Sequence, residues 1–396
     1  MLSDRQLFRQ LIAKTSDTPL NIEVVHASGS WMFGPDEKKY LDLVSGVSVS
    51  YLGHHDPDVV AAVKEQADKY LHLMVYGEYV QHPQVRLAEL LVEHLPEPLS
   101  QVYFVNSGSE AIEGAMKLAK RFTGRTEIVA FRNAYHGSSQ GALSIMGGEY
   151  FKNAFRPLLP GIRLIDFNDF SQLEQISRQS ACVVVEPIQG EAGIRLPASG
   201  FLQALREKCT EEGALLVFDE IQTAFAHTGP LFAFMHEQVV PDILVLAKGL
   251  GCGMPLGAFI ASEPLLKSLA SDPPLGHITT FGGHPVSCAA GLAGMKKLIA
   301  GVKSWNIPGK EALFRKNLNH PSIREIRGKG LFLAVDLGDS ERNIRTVFKA
   351  IENGVVSDWF LFNDHSFRIS PPLTISEEDI LLACDILNRS IEQTGK

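Results

Sequence analysis

Residues 242–261 read DILVLAKGLGCGMPLGAFIA, an almost wholly apolar run that meets a glycine-rich turn at Lys248. A lysine at that junction is expensive to bury. Its ordinary explanation is a side chain that snorkels out of a strand end, keeping the ammonium wet. The chemical explanation is an amine whose pKa is lowered by desolvation so that it can attack a carbonyl. The glycines that follow would let backbone approach a bound ligand closely.

The same arrangement recurs upstream. Between Gln101 and Ala261 a short β-branched run is followed by a reactive residue or turn and then by a helical stretch. Gln101–Val105 precedes Asn106-Ser107-Gly108, and Glu127–Phe131 precedes Tyr135-His136-Gly137. Cys182–Val185 precedes Glu186, Leu215–Phe218 precedes Asp219-Glu220, and Ile243–Ala247 precedes Lys248. This alternation predicts an α/β fold with a mainly parallel sheet, in which ligands sit beyond the carboxyl ends of the strands. Five loops would then face one pocket.

A chain of 396 residues is too long for one compact core. The expected division is a large domain over 53–291 and a smaller α+β domain over 292–396, which holds short strands in Gly328–Leu337 and Phe367–Ile369 and a polar helix from Glu377. The N-terminal segment, 1–52, is expected to join the smaller domain.

Composition narrows the function. With 37 basic and 45 acidic residues the formal charge is −8, and no Lys/Arg run could track a phosphate backbone, so nucleic acid is not an expected partner. No apolar stretch reaches membrane-spanning length and the N-terminus has no continuous apolar h-region, so a cytoplasmic protein without a membrane anchor is expected. The cysteines (182, 209, 252, 288 and 384) are odd in number, scattered and free of C-x-x-C pairs, as for reduced thiols. His54, His55 and Asp56 are adjacent, but no second ligand cluster accompanies them, so no metal is expected and a loop or capping role fits better.

Four further positions carry chemistry. Asp219 ends an apolar strand and needs a cationic partner or several donors; it reads either as a structural ion pair or cap, or as a carboxylate facing a pyridinium nitrogen. Ser107-Gly108-Ser109-Glu110 opens an amphipathic helix to about Phe122, with Ala111, Ala115, Leu118, Ala119 and Phe122 on one face. Its start fits a Ser107–Glu110 capping box and also an anion site. Tyr135 and His136 sit in a loop where a flat side chain could pack or lie over an aromatic ring. Arg368, in FRISPPL, is either a surface arginine or a bidentate partner for a substrate carboxylate.

Together these segments resemble the class III aminotransferases (ornithine, acetylornithine, 4-aminobutyrate), enzymes with the aspartate-aminotransferase-like fold type I that use pyridoxal 5'-phosphate (PLP). The likeness spans nearly the whole chain: NSGSEAIEGAMKLAKR, AYHG, VVVEPIQGEAG, LLVFDEIQ, LAKGLGCGMPLGAF and TTFGGHP occur in the family's order. The resemblance implies that Gly108 and Ser109 bind the phosphate, Tyr135 stacks on the ring with His136 beside it, and Asp219 pairs with the ring nitrogen. It implies that Lys248 forms the Schiff base, that Gln222 lies near the ring hydroxyl and that Glu186 supports the site from below. Thr280 would contact the phosphate of a neighbouring subunit's cofactor, which implies a homodimer. Arg368 would hold a substrate α-carboxylate, with Glu191 pairing to it when an ω-amine binds.

The implied activity is ping-pong transamination from an ω-amine or amino-acid donor, acetylornithine or ornithine foremost, to a 2-oxo acid, 2-oxoglutarate. Other donors on the same scaffold are 4-aminobutyrate, a diamine or a β-amino acid. An aminomutase or racemase would need no separate acceptor, and a Rossmann dehydrogenase would need a G-x-G-x-x-G that is absent after the first strand. Departures bear on the donor: Ser138 stands where relatives have arginine, and Ala224, Ala226 and His227 stand where the family shows glycine, glycine and arginine. The Gly53–Pro57 segment, GHHDP, also departs from the usual G-H-x-H-P.

Overall fold

The apolar runs that precede reactive residues become five parallel strands of one seven-stranded sheet. The structure, a computed structural model, describes residues 2–35 and 37–395. The strand order is Gln101–Val105, Gly257–Ala261, Ile243–Leu246, Leu215–Asp219, Ser180–Val185, Glu127–Phe131, Ile162–Ile165. Only Gly257–Ala261 runs opposite to the others, paired antiparallel with both neighbours. Ser180–Val185, Ile243–Leu246 and Gly257–Ala261 are buried at every residue, as expected of strands covered on both faces.

One covering element is the helix Gly108–Thr123, which buries Ala111, Ile112, Ala115, Met116, Leu118 and Ala119. Phe259 belongs to the same apolar cluster and is fully buried, which contributes about 2–3 kcal/mol. Phe122 departs from the sequence reading, with 48% of its surface exposed. Burial of that face ends at Ala119, one turn before the helix does. Periodicity gives the angle of a residue but not how far the sheet beneath it extends.

Two four-stranded sheets lie outside this layer. In one, Lys39–Asp42 pairs in parallel with Val355–Val356, so N-terminal and C-terminal chain share a sheet. The other joins Glu325–Lys329, Phe332–Asp336, Asn363–Ile369 and Trp359–Phe360. The helix Pro285–Gly301 is continuous through residue 291, and the chain ends in the helix Glu377–Gln393.

His54 and Asp56 have structural partners. His54 Nε2 lies 2.8 Å from Asp42 Oδ2, and Asp56 caps the helix Pro57–Lys69 through the Asp58 and Val59 amides. Among the described residues no group of three or more His, Cys, Asp or Glu side chains is arranged to hold a metal ion, and no helix is long and apolar enough to cross a membrane. All five cysteines are free thiols.

Candidate active site

The carboxyl ends of the strands open into a cavity of about 490 Å³. Gly108, Ser109, Tyr135, His136, Glu186, Asp219, Gln222 and Lys248 all line it, so eight residues singled out in the sequence converge from five loops.

Lys248 leaves the buried strand Ile243–Leu246 and begins a tight turn with φ +48°. A non-glycine residue in that region is strained by about 1–3 kcal/mol, a cost usually met where a side chain must be aimed. Burial, assisted by Arg368 and opposed by Glu191, Asp219 and Glu186, brings its pKa down to about 8. The amine is therefore much closer to its neutral, nucleophilic form than an ordinary lysine is.

Asp219 ends the strand Leu215–Asp219 and is buried. Its Oδ2 lies 2.7 Å from His136 Nδ1, and its Oδ1 accepts from the Ile221 amide at 3.0 Å. Burial disfavours a charged His136, but the bond to Asp219 and the charges of Asp219 and Glu186 outweigh it, so its pKa is raised. Glu186 accepts from the Gly190 and Tyr135 amides at 3.0 and 3.3 Å, and burial pushes it up to about 8.

The helix start at Gly108 carries the cap read from sequence, since Ser107 Oγ accepts from the Glu110 amide at 3.2 Å. The second half of the box differs. The Glu110 carboxylate takes Asn106 N at 2.6 Å and Asn106 Nδ2 at 3.2 Å, one residue before the expected partner. A Cβ on Gly108 would meet Ile221 Cδ1 at 2.7 Å and push that side chain aside at the cavity wall. Gly137, at φ +129°, closes the site from the other side, where a Cβ would overlap Ser109 Oγ. Gly137→Ala is expected to weaken cofactor affinity at least about tenfold by displacing Ser109, as cofactor titration of the apoenzyme would measure.

Arg368 and Glu191 stand beside the cavity and join it through Gln222. Gln222 Nε2 donates to Glu191 Oε1 at 3.0 Å, and Gln222 Oε1 accepts from Arg368 Nη1 at 3.1 Å. Arg368 Nη2 donates to Glu191 Oε1 at 2.9 Å. Burial works to raise the Glu191 pKa, but Arg368, Gln222 and Lys248 outweigh it and hold the carboxyl below its usual range. Thr280 is exposed and stands apart from the cavity of its own chain. Its neighbour Thr279 accepts from Asn106 Nδ2 at 2.9 Å.

Several participants had no individual role read from the sequence. Val49, Asn106, Ile221 and Met254 also line the cavity. Asp358 accepts from Arg368 Nε at 2.8 Å; a carboxylate inside the apolar run VVSDWF was the available signal. Glu220 accepts from the Ala233 and Phe234 amides, both at 2.7 Å, and anchors the loop behind Asp219.

The departures from family pattern have defined places. The Ser138 hydroxyl lies 3.1 Å from the Tyr135 hydroxyl. Ala226 adopts φ +63°, a conformation glycine takes without strain. His227 is buried, which brings its pKa down to about 4, so a neutral ring stands where relatives carry a cation.

The family model for class III aminotransferases matches residues 12–391. The chain belongs to the class III aminotransferases. It is 39% identical over 381 residues to the acetylornithine aminotransferase of Methanopyrus kandleri, covering 94% of this chain and 95% of that one. It is 36% identical to the acetylornithine aminotransferase of Methanocaldococcus jannaschii, covering 91% of each chain. Among solved structures, the ornithine aminotransferase of Toxoplasma gondii superposes with a TM-score of 0.91 at 29% identity, over 99% of this chain and 95% of that one. The adenosylmethionine-8-amino-7-oxononanoate aminotransferase of Methanocaldococcus jannaschii superposes with a TM-score of 0.90 at 26% identity, over 98% of each.

The class III aminotransferase is thus a PLP-dependent transaminase of fold type I, as the sequence implied. The cavity suits that cofactor: it combines an anion-seeking helix start, a buried carboxylate suited to a pyridinium and an amine of lowered pKa suited to an aldehyde.

Proposed function

We propose that this aminotransferase moves an amino group from an ω-amine donor, acetylornithine or ornithine foremost, to 2-oxoglutarate in two ping-pong half-reactions. The observation that carries the reading is a lysine of pKa about 8 in one cavity with the Asp219–His136 pair, with Arg368 and Glu191 linked to it through Gln222. The acetylornithine aminotransferases it resembles support the choice of donor.

In this reading the Gly108 and Ser109 amides hold the cofactor phosphate, Tyr135 packs on the ring with His136 below its carboxylate partner, and Gln222 lies near the ring hydroxyl. Glu186 braces the Tyr135 loop through its amide. Lys248 would hold the cofactor through Nζ, and its amine of lowered pKa could accept the proton from the donor's amine-bearing carbon. Bound PLP supplies a protonated ring that draws electrons from the bond being broken. Arg368 holds the 2-oxo acid's carboxylate, and Glu191 takes its place when the ω-amine binds.

We further propose a cytoplasmic homodimer in which Thr280 reaches the partner's cofactor phosphate. Leu71, Leu73, Met74 and Val80 in one segment and Ile278 and Phe281 beside Thr280 are exposed, and the His72 and Phe281 rings, 4.7 Å apart, tie the two segments together. An apolar surface of this kind favours burial against another chain.

Borohydride reduction of the purified holoenzyme, followed by peptide mass mapping, is expected to place the pyridoxyl adduct on Lys248. An adduct on another lysine would overturn the assignment. The second reading, a donor without an α-carboxylate such as a diamine, is favoured by Ser138, whose hydroxyl faces Tyr135 where relatives carry a guanidinium. A panel of donors with 2-oxoglutarate, scored as glutamate formed, separates the two.

A further inference from the structure

We propose that Asp358 is a positioning residue that fixes the guanidinium plane of Arg368, so that a substrate carboxylate meets only its Nη1–Nη2 edge. The inference rests on the transaminase reading above. Arg368 is 2% exposed and engages partners along three sides: Asp358 Oδ1 at Nε, Gln222 Oε1 at Nη1 and Glu191 Oε1 at Nη2. These partners are of two kinds.

Asp358 rides on backbone bonded to the arginine's own strand. The Arg368 amide donates to the Asp358 carbonyl at 2.9 Å, and Ser357 Oγ donates to the Arg368 carbonyl at 2.7 Å. The Phe360 ring centroid lies 4.6 Å from Arg368 Cζ and supports the guanidinium from one face. Asp358 and Arg368 therefore move as one body. Glu191 and Gln222 come from two other loops and hydrogen-bond each other at 3.0 Å, so they keep a partner when a substrate carboxylate displaces them.

The exchange conserves charge. Arg368 faces two carboxylates with Glu191 in place, and again two when a substrate carboxylate replaces Glu191. The displaced Glu191 keeps the Gln222 Nε2 donor as its hydrogen-bond partner. With Nε held, the guanidinium cannot rotate to follow the departing Glu191, and its remaining two donors keep the spacing that a planar carboxylate needs.

The test is steady-state kinetics of the holoenzyme variants with 2-oxoglutarate as acceptor. Asp358→Ala is expected to raise KM for 2-oxoglutarate about tenfold while kcat stays within about threefold, the loss of one charge-assisted contact in binding alone. Asp358→Asn, whose amide oxygen still accepts from Nε, is expected to return KM to within about threefold of wild type. An unchanged KM in Asp358→Ala, a kcat that falls as far as KM rises, or an Asp358→Asn enzyme as impaired as the alanine variant would each overturn the proposal. Should Asp358→Ala not fold, Asp358→Asn decides alone: a near-normal KM supports the positioning role, and a tenfold rise overturns it. Glutamate formation by the wild type is measured first, because its failure with every donor would refute the transaminase reading and not the role of Asp358.

Discussion

Lys248→Ala is expected to lower kcat by at least about 10³-fold and to abolish the borohydride-fixed adduct, with the fold intact by thermal melting. Two functions are lost together. In the proposed reading Nζ would both hold the cofactor and move the substrate proton, and among the described residues no other lysine lines the cavity. Lys248→Arg is the sharper control. It keeps a cation among Glu191, Asp219 and Glu186, but a guanidinium stays protonated and is neither a nucleophile nor a base. Equal loss in both variants assigns the effect to amine chemistry, whereas activity surviving in Lys248→Arg within about tenfold of wild type would assign it to charge alone.

The same amine sets a pH dependence. Burial lowers its pKa to about 8, so below that value the neutral fraction rises about tenfold per pH unit and above it levels off. The rate at which apoenzyme captures the cofactor aldehyde should follow that curve. An inflection near the ordinary lysine value would mean that burial does not lower the pKa of Lys248.

Much of this site was legible because its residues sit next to strand ends. Apolar runs of four to six residues mark parallel strands, and whatever follows them lands at the carboxyl edge. Asp219 and Lys248 were found this way. Gly257–Ala261 was not read as a strand, and its reversed direction has no local signature, because side-chain alternation is the same in parallel and antiparallel pairing. Ile162–Ile165, at the sheet edge, is interrupted by the exposed Arg163, so no continuous apolar run marks it.

The carboxylate side was harder to read. Arg368, Glu191, Gln222 and Asp358 come from four segments, with Glu191 and Gln222 more than a hundred residues from both Asp358 and Arg368, and only folding makes them one network. Sequence reading supplied Arg368 as a candidate, and Asp358 stood in the apolar run VVSDWF, but nothing local linked that carboxylate to the arginine it holds. His227 shows the converse. Its identity as a departure was plain, yet its neutrality follows from complete burial, which no local pattern encodes.

Asp219→Asn is expected to reduce kcat about 10²- to 10³-fold, equivalent to about 3–4 kcal/mol of lost electrostatic stabilisation. The substitution preserves size and can still accept from the Ile221 amide, so packing is nearly unchanged. In the proposed reading, what it removes is the negative charge that would face the ring nitrogen. The Ile221 amide and His136 both bond to that carboxylate, and Asp219 helps to raise the pKa of His136. A neutral amide offers no such preference for a protonated ring, and the developing negative charge on the substrate carbon then has a poorer place to spread. Single-turnover rates of both half-reactions should fall together, because the ring serves each, while KM for 2-oxoglutarate stays close to wild type. A loss confined to one half-reaction would place Asp219 at the substrate instead of beneath the cofactor, and a kcat within about tenfold of wild type would remove it from the chemistry.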